Sequence, residues 1–167
     1  MDVREIEGKD QFKKTLPAFI VTSGFKLIEK IAVIRDADNN ANDAFKSVTG
    51  VLEKNDLKPP KKPGEFSNGA PSVGVFVMPD NTSKGMLEDL CLGTVRDHPA
   101  IKCVDTFITC VQSLRETPKN ISKARVQAYL AAKPTIAQSL GVGAQKGHWD
   151  LKSENLHPLI SFLKQLK

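Results

Sequence analysis

In Lys30-Ile-Ala-Val-Ile-Arg-Asp-Ala-Asp-Asn-Asn40 an apolar run breaks abruptly into acids. Ile31 to Ile34 have the composition of a buried strand, rich in β-branched residues. Side chains alternate in an extended chain, so Asp36 and Asp38 are expected to project together from the strand's carboxyl end. Open α/β sheets place their ligand sites at that end. Two carboxylates held side by side repel unless a cation neutralises them, and a hard divalent ion such as Mg²⁺ suits oxygen ligands. The same Asp-Ala-Asp-Asn-Asn run is also good turn and helix-cap chemistry, because Asp and Asn satisfy free backbone N–H groups.

Working outward, Val3 to Ile6 reads as a short strand running into Glu7 and Gly8. Asp10 to Leu16 fits two turns of helix stopped by Pro17, and Ala18 to Thr22 fits a further strand before a Ser23-Gly24 turn. Leu27 to Ile34 leads into the acids. Ala44, Phe45, Val48, Val51 and Leu52 are spaced as one face of a helix over Asn40 to Leu52, with Asn39 or Asn40 as its cap. Prolines and glycines make Asn55 to Ser72 a long loop, and Val73 to Met78 is the next buried strand. Lys54, Lys58, Lys61 and Lys62 in and beside that loop could reach a phosphate backbone or simply be solvated.

Beyond residue 84 the pattern is helical: Met86 to Val95, then a stripe of Ile101, Val104, Phe107, Ile108, Val111 and Leu114, then Ile121 to Ala132. Thr135 to Leu140 suggests a short turn and Gly141 to Gly147 a glycine-rich loop, which lacks Walker spacing. Leu156 to Leu166 is an amphipathic helix with Pro158 in its first turn. The expectation is a single α/β domain over residues 1–167. A small, mostly parallel sheet lies in 1–95, flanked by helices, and a helical C-terminal half fills 96–167.

A strand ending in Glu7-Gly8, a later one ending in Asp36-x-Asp38, and a Leu87-Glu88 segment after the next strand resemble the Toprim domain. The likeness is strongest to a group of short, uncharacterised Toprim-related proteins akin to the overcoming-lysogenization-defect (OLD) nucleases. They share the strand ending Pro79-Asp-Asn81, the Gly85-Met-Leu-Glu-Asp-Leu90 segment and a late Gln145-Lys-Gly-x-Trp-Asp150. The resemblance implies a Toprim-like sheet and Mg²⁺- or Mn²⁺-dependent phosphodiester chemistry, nuclease-like. It assigns Asp36, Asp38 and Glu88 to the metal and Glu7 to catalysis. A late lysine balances charge on the phosphate, Lys146 first and Lys123 as the alternative. It further implies nucleic acid as a partner and an ATPase beside it. In the nucleases a second acid commonly follows the glutamate by four residues; Gln11 stands there in this chain. The alternative is a non-catalytic accessory domain binding nucleic acid, nucleotide or a partner protein.

Composition narrows the field. Hydrophobic residues are 40% and charged residues 26% of the 167, ordinary globular values, and the net charge of +5 gives only weak general attraction to polyanions. At 6% aromatic residues, no stacking platform for bases is evident. Three cysteines without a pairing motif argue against a disulfide framework, and Cys103 and Cys110, seven apart, are expected to be buried in a helix. His98, His148 and His157 lack zinc-ligand spacing, and Trp149 is expected to anchor a core or loop. No apolar run is long enough for a membrane span and the start is not signal-like, so a reducing, cytoplasmic setting is expected.

Overall fold

The computed structural model describes residues 2–6 and 8–167. Its centre is a pair of parallel strands, β1 (Lys30–Asp36) and β2 (Ser72–Met78), in the register Lys30 beside Ser72 through Asp36 beside Met78. Both strands lie where the apolar runs place them. Among the described residues seven α-helices accompany them, so the chain is a helix-rich α/β fold.

One face of the sheet is covered by α1 (Lys9–Ile20) and α2 (Ala41–Glu53). Asn40 caps α2, its Oδ1 accepting from the N–H groups of Asn42 (2.9 Å) and Asp43 (3.1 Å). Val73, Val75 and Val77 point into this layer with Val48, Val51, Leu52 and Leu16, and Ile31 and Val33 border it. The alternate residues of β2, Phe76 and Met78, point the other way against Leu90 and Phe162. Each large side chain so buried stabilises the fold by roughly 1.5–3 kcal/mol. Phe162 comes from the last helix, α7 (His157–Lys164), so the C-terminal end returns to the sheet rather than standing apart from it.

The remaining helices are α3 (Leu87–Thr94), α4 (Pro99–Gln112), α5 (Ile121–Ala131), α6 (Leu140–Gln145) and α7 (His157–Lys164). Tyr129 and Trp149 stack at 5.2 Å in the core that α4, α5 and α6 share. The Trp149 indole donates to the Leu140 carbonyl at 3.0 Å, which makes it an anchor, as expected. No helix among the described residues is long and apolar enough to cross a membrane.

The two edges of the sheet differ. In a parallel pair, alternate residues of each strand bond across and the others face outward. Ser72 N–H donates to the Glu29 carbonyl and Ala37 N–H to the Met78 carbonyl, so the odd residues of β1 face β2. Most outward groups of β2 are engaged: Gly64 N–H donates to the Val75 carbonyl, Ser67 N–H to the Val73 carbonyl, Val73 N–H to Ser67 Oγ, and Val77 N–H to Asn81 Oδ1. The outward backbone groups of Lys30, Ala32, Ile34 and Asp36 have no such partner strand among the described residues.

Several expectations are corrected. Val3 to Ile6 form no strand, and among the described residues the sheet has two strands only. Ala18 to Ile20 belong to α1, and Thr22 follows its end. Pro17 interrupts the hydrogen bonding of α1, but Phe12, Leu16 and Ile20, four apart, share a face packed on the core, and that burial carries the helix past it. Gly141 to Gln145 lie in α6 rather than in a glycine-rich loop. A Cβ on Gly143 would stand 2.9 Å from both Leu130 Cδ2 and Trp149 Nε1, so this glycine serves close packing. On α4 only Ile101, Val104 and Ile108 are buried; Phe107, Cys103 and Cys110 face outward, and Leu114, beyond the helix end, is exposed. The predicted stripe was wider than the surface α4 has to cover.

Candidate metal centre

Asp36 is the last residue of β1, where the strand leaves the core, and it is half-buried. Its Oδ1 accepts from the backbone N–H of Leu87, the first residue of α3, at 2.9 Å. The aspartate thus satisfies a helix N-terminal N–H that has no partner within its own helix. Burial raises the Asp36 pKa above the ordinary aspartate value. The Leu87 hydrogen bond works against that rise, the charges of Glu88 and Asp38 add to it, and Lys123 opposes it.

Asp38 does not continue the strand. Its φ of 53° is left-handed, a conformation Asp tolerates better than most residues. Asp38 and Gly85 exchange both backbone hydrogen bonds at 2.9 Å, fastening the end of β1 to the segment before α3. Alternation therefore stops at Asp36, and the two acids do not share a strand face as expected. Gly85 needs to be glycine: its φ is +136°, and a Cβ there would meet Asp89 Oδ2 at 2.8 Å.

Asp89 was not singled out in the sequence, yet it holds the neighbourhood together. Its Oδ2 accepts from Met86 N–H at 2.9 Å and its Oδ1 from Ser122 Oγ at 2.6 Å. This ties the start of α3 to the start of α5, and Lys123 follows Ser122 directly. The available signal was the Glu88-Asp89 pair in a helix's first turn, where acids complement the helix dipole.

Asp36, Asp38, Glu88 and Lys123 are thus brought within electrostatic reach of one another. Glu88 also acts on Cys91, whose thiol is pushed up to about 11, by burial first and by Glu88 second. Lys146 is engaged elsewhere: its Nζ donates to the Ile136 carbonyl at 2.7 Å. Glu7 lies outside the described residues. Gln11 is exposed on α1. Next to the acids, Pro79 follows β2, and Asp80 accepts from the backbone and hydroxyl groups of Thr82 and Ser83, so it is a turn-former.

The donor set matches a hard cation in kind, since it offers anionic oxygens and no sulfur or imidazole. In number it is sparse: among the described residues no three His, Cys, Asp or Glu side chains gather closely enough to hold a metal by themselves. Mg²⁺ commonly takes one or two carboxylates and keeps several waters, so a sparse set suits it better than Ca²⁺ or Zn²⁺.

No curated protein and no solved structure matches the chain. A family model matches residues 1–167, end to end, and the chain therefore belongs to that family, DUF3226, described as a protein of unknown function.

Proposed function

We propose that this chain is a Toprim-like, Mg²⁺- or Mn²⁺-dependent phosphodiester enzyme acting on nucleic acid. Asp36, Asp38 and Glu88 hold the cation and Lys123 faces the phosphate. The observation that carries the reading is the position of Asp36. It closes a core strand, is partly withdrawn from water, and carries the charges of Asp38 and Glu88 beside it. A carboxylate in that setting gains from a bound cation. The chemistry Mg²⁺ or Mn²⁺ supplies when bound is water activation and neutralisation of phosphate charge. Asp36 is oriented for this role by Leu87 N–H on Oδ1, while Oδ2 takes no hydrogen bond among the described residues. Lys123 takes the place first given to Lys146, because its charge acts at Asp36 whereas the Lys146 ammonium is bonded to a carbonyl. Glu7 enters the reading by its place in the sequence only.

The test is thermal unfolding with chelator and with Mn²⁺, followed by cleavage of supercoiled plasmid and single-stranded RNA. Cation at a hundred times its Kd adds about 2.7 kcal/mol. For a chain of this size that raises Tm by about 5–10 °C. Asp36→Ala should lose both the shift and the cleavage, and Lys123→Ala should slow cleavage while keeping the shift. Equal melting temperatures with chelator and with saturating Mn²⁺ would remove the metal reading.

Gln11 and the sparse donor set favour a second reading, a non-catalytic accessory domain that keeps the cation. A metal-dependent Tm shift without cleavage of any substrate would select it.

A further inference from the structure

We infer that the groove between α1 and α2 is a binding site for the phosphodiester backbone of a nucleic acid, separate from the Asp36 centre. The groove has a volume of about 360 Å³ and is lined by Lys13 from α1 and by Lys46, Ser47, Gly50, Lys54 and Asn55 on and just after α2. Among the described residues three lining side chains are cationic, two are neutral hydrogen-bonding groups, one is the apolar Val51, and none is an acid.

Helix geometry explains the arrangement. Lys46, Gly50 and Lys54 are four residues apart and fall on one face of α2. At about 1.5 Å per residue, the two lysines stand roughly 12 Å apart along the axis. Gly50 lies between them, and a Cβ built there meets nothing within 4 Å. The missing side chain leaves the floor open where a bulkier residue would fill it. Lys13 faces this row from α1. Its exposed contact with Asp10, at 3.4 Å, is of the kind that contributes little and exchanges readily with another anion. Lys46 and Lys54 make no ion pair among the described residues.

A concave surface with one sign of charge concentrates counter-ions of the other. An elongated ligand with repeated charges fits a row of this length better than a single small anion. The absence of aromatic lining means contact with the backbone, not with bases. The groove is anchored to the sheet: Arg35 of β1 donates from Nη1 to Ser47 Oγ at 3.1 Å. Binding there does not require the cation of the proposed function.

The experiment is fluorescence anisotropy of labelled single-stranded and duplex oligonucleotides in chelator, repeated over a range of salt concentrations. Each lysine removed should flatten the slope of log K against log salt by about 0.7 for single strands or 0.9 for duplex. For single strands at about 50 mM salt that is roughly an eightfold loss per lysine. Lys46→Ala and Lys54→Ala should each show this loss, and Gly50→Glu, which sets an acid on the groove floor, should abolish measurable binding. Lys102→Ala, on the exposed face of α4, should bind like the unaltered protein. Thermal unfolding of every variant checks that the fold is kept.

Failure of the unaltered protein to bind either oligonucleotide would overturn the inference. So would unchanged slopes in Lys46→Ala and Lys54→Ala, or displacement of the oligonucleotide by inorganic phosphate at equal phosphate concentration. Mn²⁺-dependent melting, measured in parallel, reports on the Asp36 centre alone. A groove that fails while the metal shift persists therefore leaves the proposed function standing.

Discussion

Gly74→Ala should destabilise the protein, although alanine is the better residue in most strands. Gly74 sits in β2, and Phe66 from the preceding loop lies across it. A Cβ on Gly74 would come within 2.6 Å of both Cε2 and Cζ of Phe66 and 2.8 Å of Cδ2. Comfortable carbon contacts are about 3.5–4.0 Å, so the ring must retreat by roughly 1 Å. Its retreat is blocked, because Phe66 stacks on Phe162 at 5.0 Å and its loop is hydrogen-bonded to β2 on either side. Overpacking of this kind costs about 1–3 kcal/mol. Stiffening the unfolded chain returns only about 0.4–1 kcal/mol. The midpoints leave a net loss of about 1.3 kcal/mol, a Tm drop of about 3–5 °C for a chain of this size. Urea unfolding should show a lower midpoint with an unchanged slope. In a Phe66→Leu background the same substitution should become neutral or stabilising, a coupling of about 1 kcal/mol or more. If Gly74→Ala is as stable as the unaltered protein, or costs as much without the ring as with it, the packing argument is refuted.

Three further outcomes follow from side chains at the strand and helix ends. The raised pKa of Asp36, caused first by burial, means the folded state holds its proton more tightly than the unfolded chain. Its charge therefore destabilises at neutral pH, and that penalty disappears as pH falls through the folded pKa. Asp36→Asn should be the more stable protein at pH 7, with the gap closing in acid; urea midpoints across that range would contradict this if the gap widened. Asp80 behaves in the opposite sense. Burial pulls its pKa upward, but hydrogen bonds from Ser83 and Thr82 outweigh it and hold the pKa at about 2, against 3.8 for a free aspartate. Asp80→Asn should therefore be the less stable protein at neutral pH, and the difference should vanish as pH falls from about 4 to 2. Asn40→Ala removes the cap of α2 and should cost about 0.5–2 kcal/mol by thermal unfolding, whereas Asn40→Asp should be nearly neutral.

What could be read from the sequence was what depends on local chemistry. β1 and β2 are uninterrupted apolar runs, and α2 carries both a helical stripe and an Asn cap, so each was placed within a residue or two. The N-terminal third was harder because two rules conflict there. Pro17 argued for a break, while Phe12, Leu16 and Ile20 argued for one continuous face, and tertiary burial decided. Glycines misled at residues 141–147, where a glycine chosen for close packing looks the same in sequence as one chosen for a turn. At the candidate centre, Asp36 was legible because it ends a strand. The turn at Asp38 was not, since it depends on Gly85, 47 residues later in the chain. Lys123 could not be ranked above Lys146 for the same reason: its place beside Asp36 depends on Asp89 joining α3 to α5.

The unequal edges of the sheet leave a signature in time as well as in space. Along β1 the N–H groups of Ile31, Val33 and Arg35 face β2, while those of Ala32, Ile34 and Asp36 face outward, where no neighbouring strand holds them. Solvent can reach the second set without any strand separating; it reaches the first only when the pair opens. Placed in deuterated water, β1 should exchange its amide protons with a period of two residues, fast and slow in turn. In β2 the outward N–H groups of Val73 and Val77 are held by Ser67 Oγ and Asn81 Oδ1, so they should exchange slowly along with the residues bonded to β1. One strand thus records both the global opening of the fold and the smallest local fluctuation, at sites a single residue apart.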